Sequence, residues 1–541
     1  MRFTSLSRAF LRGDHAAAHG QIADAEMILP TILVENARTQ GRRPAVLDGD
    51  GILTWGDFSN RVARAAGLLR ALGLRRGERF AVLMRNSFRQ AELLWAGYWS
   101  GIVPVPVNWR LSPGEIADIL EDAECRLIAA EEEFLQVLES PALSAWRVLK
   151  VETSGGRRLD YEDLLGATAP VPVEPALEDD DAILLYTGGT TGRSKGVRLS
   201  HRNILSNAWQ IGLASDIRST DVYSHVAPMF HAADLHGTMA FLMGCSHVYL
   251  PQFTPAAAAA CIERHRVTVA HWVPTMIKMF SESADVACHD LSSLRMLFYG
   301  SSPMPVEWVR AVCALFPGVE LYHCYGLTET SPLLTILDPA SLRGCVESGN
   351  TSLLRSAGRP LPGVELRIAG DDGRWLPSGV AGEIVVRGAN VSKGYLKRDS
   401  ENAEVFREGW FHTGDLGRLD EEGYLFLVDR KKDMIITGGE NVYPSEVETV
   451  LYRHPGISEA AVIGVPDERY GEALVAVIVP NAGVTLTADE IVDHCRAHIG
   501  GYKIPRRIVF VDVLPRTAVG KVQKAVLRET YGASGEPGRP V

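Results

Sequence analysis

Three features of this 541-residue chain predict an α/β protein with a large N-terminal domain and a small C-terminal one. Helical and strand patterns alternate from Pro30 to about Ala130, which suits layered α/β sheets rather than an all-helical or all-strand fold. Several later strand candidates end in small or polar residues, and ligands collect beyond such ends in α/β sheets. After the charged run Asp429–Asp433 a self-contained pattern of helices and strands begins again, as at a domain boundary.

Length and composition agree with that division. A chain of this size exceeds one ordinary core. It is 46% hydrophobic and 22% charged, the balance of a globular protein. The net charge of −11 argues against non-specific nucleic-acid binding, which needs a basic face. No apolar run reaches the roughly 18 residues of a transmembrane span. Eight scattered cysteines without a CxxC pair suit reduced thiols in a cytoplasm better than disulfides or zinc. Residues 1–26 carry Arg2, Arg8 and Arg12 with no acid before Asp14. They faintly resemble an import segment, but the reading preferred is a disordered extension, or a start upstream of Met27.

In order along the chain, Ser59–Leu72 and Arg89–Ser100 have helical spacing, and Phe80–Met84 and Val103–Val107 read as strands. Ala182–Tyr186 is an apolar strand running into YTGGTTGRSKGV, residues 186–197. Exposed backbone N–H groups, hydroxyls and Lys195 in such a loop suit a phosphate chain; a plain glycine-rich turn is the alternative. A Walker loop is excluded, because Ser194 precedes Lys195 and a strand, Val197–Leu199, follows. Ser200 to Asn203 caps a helix running to about Leu213. Pro228–His236 (PMFHAADLH) is a loop opening a helix, and Thr268–Met276 reads as a strand ending in Pro274. Leu294–Tyr299 leads into Gly300-Ser301-Ser302, and Leu321–Tyr325 into Gly326-Leu327-Thr328-Glu329. Beyond Gly358 the short strands Val364–Ile368, Gly382–Arg387 and Gly423–Val428 form a β-rich subdomain, with hairpin-type turns at Asp371–Gly373 and Glu421–Gly423. The last pattern has helices at Tyr443–Arg453 and Thr487–His498 and strands at Ser458–Val465 and Ala473–Pro480.

Six motifs in register carry a resemblance from about Pro30 to Arg528. They are Tyr186–Val197, Tyr325–Glu329, Trp410–Asp415 (WFHTGD), Asp429–Asp433 (DRKKD), Gly438–Val442 (GGENV) and Leu514–Lys521 (LPRTAVGK). On these the chain resembles the adenylate-forming superfamily of acyl-CoA synthetases, aryl-CoA ligases, luciferases and adenylation domains. The resemblance implies a large multi-subdomain N-terminal domain (27–430) of layered α/β sheets plus the β-rich subdomain. A hinge (431–434) and a small mobile α+β C-terminal domain (435–541) follow. The implied reaction has two steps. A carboxylate attacks the α-phosphate of Mg·ATP to give acyl-adenylate and diphosphate, and the thiol of coenzyme A then displaces AMP.

The implied roles fit the charge to be neutralised and the oxygens to be aligned. Thr187, Gly188, Gly189, Thr190, Thr191, Gly192 and Lys195 would hold the β- and γ-phosphates. Thr328 would bond the α-phosphate, and Glu329 would ligate Mg²⁺, a hard cation. Tyr325 would flank the adenine with Ser301 and Ser302 opposite, while Asp415 and Arg430 would hold the ribose. Lys521 would bridge the carboxylate and α-phosphate during adenylation. Lys432 matches the hinge position, Gly438 and Gly439 the thiol tunnel, and Asn441 an adenylate contact often made by Gln. His231 matches a gating aromatic position. The acid pocket is expected from Ala227, His231, Ala232, Ala233, Leu235, Tyr299, Gly300, His323, Thr330 and Leu333, with Asp234 and His236 near a polar substituent or solvent. His323 and Cys324 depart from the Gln or Asn and Gly of many relatives.

The small, apolar lining points to a medium- or long-chain fatty acid, with an aryl acid as the alternative. An enzyme that loads a carrier protein is a second hypothesis, disfavoured because no carrier module follows Lys521. A non-catalytic nucleotide binder is a third, disfavoured by the intact Lys521 and Glu329. The expected partners are a small carboxylic acid and CoA, with no nucleic acid, a cytoplasmic location and a homodimer as the assembly.

Overall fold

The computed structural model describes residues 27–532 apart from 50, 153–159, 188–193, 302, 303, 305, 349–351, 431, 432, 438, 439, 468 and 518–520. Its largest element is a nine-stranded sheet. In spatial order the first five strands are Arg359–Pro360, Thr335–Leu337, Glu320–Tyr325, Met296–Gly300 and Val269–Trp272. Val222–His225, Ser246–Tyr249, Pro44–Asp48 and Gly51–Thr54 complete it. The six strands from Glu320–Tyr325 to Pro44–Asp48 are parallel, and antiparallel strands close both edges. A four-stranded parallel sheet (Val103–Pro106, Arg79–Leu83, Cys125–Glu131, Arg147–Val151) forms a second layer system.

Local chemistry sets the helix starts. Thr54 and Asp57 form a capping box, so the first expected helix begins at Trp55 and runs to Ala71. It buries Trp55, Phe58, Val62, Ala66 and Leu69 on one stripe. Ser200 and Asn203 cap His201–Ala214 in the same way. The helix Phe88–Ser100 starts at the Ser87 cap and stops at Gly101, whose φ of 67° ends it in left-handed backbone.

The expected strand Thr268–Met276 is shorter than its apolar run. Pairing covers Val269–Trp272, and Pro274 instead opens the helix Pro274–Glu282. Proline suits that first position, since its missing N–H is one the helix cannot use. The PMFHAADLH segment likewise forms a short 3₁₀ turn, Ala232–Gly237, leading into the helix Thr238–Met243.

Asp181–Thr187 and Lys195–Ser200 pair as an antiparallel hairpin, with Thr187 opposite Lys195. The β-rich part is a five-stranded antiparallel sheet in which Asp415 stands opposite Arg430. The C-terminal domain packs its own helices on Gly471–Pro480, Ile457–Asp467 and three further strands. It touches the main body where Lys278 donates to Ser458 Oγ (3.0 Å) and where Trp308 meets Tyr452 edge-on (6.4 Å). All eight cysteines are free thiols, and no helix among the described residues is long and apolar enough to cross a membrane.

Candidate active site

The carboxyl ends of the parallel strands Val269–Trp272, Met296–Gly300 and Glu320–Tyr325 lie side by side, and the site is built on them. The last two strands approach so closely at their ends that a Cβ on Gly300 would sit 2.2 Å from the Cys324 carbonyl oxygen. A Cβ on Gly326 would meet the Pro332 carbonyl oxygen at 2.0 Å. These glycines are therefore required by close approach. Ser301, just past the strand, takes left-handed backbone (φ 71°), a strained state for a side-chain-bearing residue.

Beyond these ends lies a cavity of about 420 Å³, counted to its open mouth, whose wall includes Ser301, Thr328, His231, His271, Cys324 and Lys521. The wall thus joins four sequence-expected residues from distant stretches. Lys521 comes from the C-terminal domain, on a narrow return where Arg516 pairs with Val522 and Thr517 Oγ1 accepts from the Lys521 N–H (3.1 Å). Arg516 is tied to Glu459 at 2.8 Å.

The residues expected to form the nucleotide wall are held by hydrogen bonds. The Tyr325 hydroxyl donates to Asp415 Oδ2 (2.8 Å), and both residues are buried. The Asp415 N–H donates to Thr413 Oγ1 (3.1 Å), whose hydroxyl in turn donates to the Ile384 carbonyl (2.7 Å). Glu329 is buried, and its Oε1 accepts from the Tyr395 hydroxyl (2.7 Å). Tyr395 also lies under Lys195, whose ammonium is 5.3 Å from the ring centre and 2.6 Å from Glu401. Sequence reasoning passed over Tyr395 and Glu401. The only signal for Tyr395 is its place after Gly394 in a loop (SKGYL) between strands.

His231 and His271 are both neutral. Burial, then the Lys521 charge, pushes His231 down to about 3, and burial lowers His271 to about 4. The Ala233 N–H donates to His231 Nδ1 (3.1 Å), so the His231 proton is on Nε2. His231 also walls a second cavity, of about 460 Å³ to its mouth, lined mostly by apolar residues such as Leu94, Trp95, Leu185 and Phe241, with His225, Asp234 and Thr238 among them.

Of the expected pocket residues, Ala232, Ala233 and Leu333 line the Lys521 cavity with His231. Leu235 lies in the second one. Ala227, Tyr299, Gly300, His323 and Thr330 do not line the Lys521 cavity. Strand parity is the reason for Tyr299 and His323. They stand opposite each other and opposite Trp272, stacked at 4.8 Å, on the other face of the sheet. His271 and Cys324, of the alternate parity, face the cavity instead. His323 Nδ1 is spent on the Ser356 carbonyl (2.8 Å). Asp234 accepts from His225 Nδ1 (2.7 Å), and His236 is fully buried against Tyr223. Asn441 is exposed in the strand Glu440–Val442. Gly188, Gly189, Thr190, Thr191, Gly192, Ser302, Lys432, Gly438 and Gly439 lie outside the described residues, as does the side chain of Arg430.

The arrangement of three sheet ends, a carboxylate–tyrosine wall and a lysine from a second domain defines an adenylate-forming enzyme. Residues 33–396 match the family described as AMP-binding enzyme, and residues 446–521 match the AMP-binding enzyme C-terminal domain. The chain is 39% identical to a feruloyl-CoA synthase of an Amycolatopsis species, over 92% of this chain and 98% of that one. It is 34% identical to a long-chain-fatty-acid–CoA ligase of Mycobacterium tuberculosis, over 89% and 94%. The o-succinylbenzoate CoA synthetase of Bacillus subtilis, solved with its acyl-adenylate, superposes with a TM-score of 0.81 at 31% identity, covering 92% of this chain and 98% of that one. The chain therefore belongs to the AMP-binding enzyme family, within the adenylate-forming superfamily. It is an AMP-forming acyl-CoA synthetase, an acid–thiol ligase that uses ATP, CoA and a small carboxylic acid.

Proposed function

We propose that this ligase activates an aryl or aryl-alkenoic acid. The observation that carries the reading is the lining of the Lys521 cavity. Small walls (Ala232, Ala233, Cys324) and two imidazoles make a short slot for a flat ring. A long alkyl tail needs an extended apolar run, and here the wall carries the polar ring of His271. The similarity to a feruloyl-CoA synthase and to an o-succinylbenzoate CoA synthetase supports the same class. One observation favours a fatty acid instead: the mostly apolar cavity behind His231 would take a tail if that side chain turned aside.

Each residue has a task in this reading. The Lys521 ammonium lies between the acid's carboxylate and the α-phosphate, lowers their repulsion, and stays with the oxygens that leave. Thr328 donates to the α-phosphate, and His231 Nε2–H orients a carboxylate oxygen. Asp415, aimed by Tyr325, accepts from the ribose hydroxyls, with Arg430 beside it. Thr187, Thr190, Thr191 and Lys195 receive the outer phosphates, for which Lys195 must leave Glu401. Glu329 fits Mg²⁺: Tyr395 occupies one carboxylate oxygen and leaves the other, a hard donor, for the cation. Bound there, Mg²⁺ would neutralise phosphate charge. After adenylation, rotation about residues 431–434 would remove Lys521 and bring Gly438, Gly439 and Asn441 to the thiol path, a gating step.

Purified protein with ATP, Mg²⁺ and a panel of aryl and fatty acids, with and without CoA, tests this by diphosphate, AMP and thioester formation. Aryl acids should give the higher kcat/KM and CoA-dependent thioester. A higher value for saturated acids of twelve or more carbons would sink the aryl reading in favour of the fatty-acid one.

A further inference from the structure

One polar group on the Lys521 cavity has no task in adenylation. His271 is buried, in the strand Val269–Trp272 between two parallel neighbours. Its Nδ1 lies 3.2 Å from the Ala233 carbonyl oxygen. A carbonyl only accepts, so Nδ1 carries the proton and Nε2 a lone pair. The N–H of the same residue, Ala233, donates to His231 Nδ1 (3.1 Å). The backbone of one residue therefore sets two cavity imidazoles to opposite polarity, with His231 offering a donor and His271 an acceptor.

Among the described residues no hydrogen bond reaches that lone pair, although His231, Ser301, Thr328 and Lys521 on the same wall carry donors. Ala232, Ala233, Pro332 and Leu333 have no side-chain donor, and the Cys324 thiol points to the Tyr322 carbonyl (3.8 Å). His236 stacks on His271 at 4.7 Å and bonds the Tyr223 hydroxyl through Nδ1. Burial keeps His271 neutral, so Nε2 remains an acceptor at physiological pH. A buried acceptor discriminates against a ligand that leaves it unpaired.

We propose that His271 is a specificity determinant which selects, among aryl acids, those with a hydrogen-bond donor on the ring, a hydroxyl or an amine, that donates to Nε2. The inference rests on the aryl-acid reading above.

The test is kcat/KM for diphosphate release with benzoates and cinnamates bearing hydroxyl, methoxyl or hydrogen at ring positions 3 and 4. In the wild type at least one hydroxy acid should exceed both its methoxy and unsubstituted counterparts by about 10-fold or more. His271→Phe should bring that ratio below about 3-fold, and His271→Gln, which keeps an acceptor, should retain part of it. The KM for ATP and the melting temperature serve as folding controls. Aryl acids turned over with wild-type ratios near one overturn this inference alone, and so does a ratio unchanged in His271→Phe. If no aryl acid is turned over while fatty acids are, the aryl reading fails and takes this inference with it. The wild-type comparison needs no variant to fold.

Discussion

On the N-terminal side of the cleft, Asp415 and Glu329 are buried and each is aimed by a tyrosine hydroxyl from its own domain. On the other side Lys521 is held within the C-terminal domain through Thr517 and the Arg516–Glu459 pair, and that domain meets the main body through contacts such as Lys278–Ser458 and Trp308–Tyr452. One side is pre-arranged, and the other is delivered. A site that must admit ATP, seal for adenylation and then admit a thiol gains from this asymmetry. In the proposed reading the parts that would recognise the nucleotide stay in place, while the charge needed for one half-reaction would be free to leave.

The largest effect should come from the delivered side. Lys521→Ala should lower adenylation by roughly 10³-fold, as loss of a charge aimed at the transition state does. It should largely spare thioester formation from supplied acyl-adenylate. Equal loss of both half-reactions, measured as diphosphate release and as thioester from acyl-adenylate, would break the comparison.

A change on the pre-arranged side should hit both steps alike. Gly326→Ala forces a Cβ against the Pro332 carbonyl oxygen and shifts Tyr325 and Thr328 together. Misplacement of about 1 Å costs on the order of 100-fold, so both half-reactions should fall by about that factor. A fall in only one half-reaction would count against a shared nucleotide wall.

Tyr325→Phe removes one hydrogen bond to a carboxylate and should raise the KM for ATP about 10-fold with little change in the KM for the acid. Smaller again, Tyr395→Phe should raise the Mg²⁺ concentration for half-maximal diphosphate release about 3-fold. No shift in that titration would separate Tyr395 from cation binding.

The two sides should also differ in acid. Burial pushes His201 and His271 to about 4, His231 to about 3, and His236 and His247 well below the imidazole range. These groups stay neutral when folded but take a proton in the unfolded chain below about pH 6.5. The unfolded state then binds more protons, so stability is full above that pH and declines as pH falls toward 4. The C-terminal histidines, His454, His494 and His498, are partly or fully exposed. Calorimetry between pH 7.5 and 5 should show the N-terminal domain's transition falling further than the C-terminal one. Parallel shifts would remove the distinction.

Much of this was legible in the residues. The capping pairs Thr54–Asp57 and Ser200–Asn203, the strand after Lys195 and the renewed pattern after Asp433 are local signals, and local hydrogen bonds make them so. The six motifs also pointed to the reaction class, because its charges demand particular residue types. The face of a buried central strand was not legible. Val269–Trp272, Met296–Gly300 and most of Glu320–Tyr325 are buried on both sides, so no polar alternation tells inside from outside. Only the sheet register puts Tyr299 and His323 on one face and His271 and Cys324 on the other, at the cavity. Tertiary structure alone likewise brings Lys195 to Glu401, Tyr395 to Glu329 and His271 to Ala233, whereas the His231–Ala233 bond is a local cap. The tertiary pairings join residues far apart in the chain or on different elements, where backbone packing rather than local pattern sets the distance.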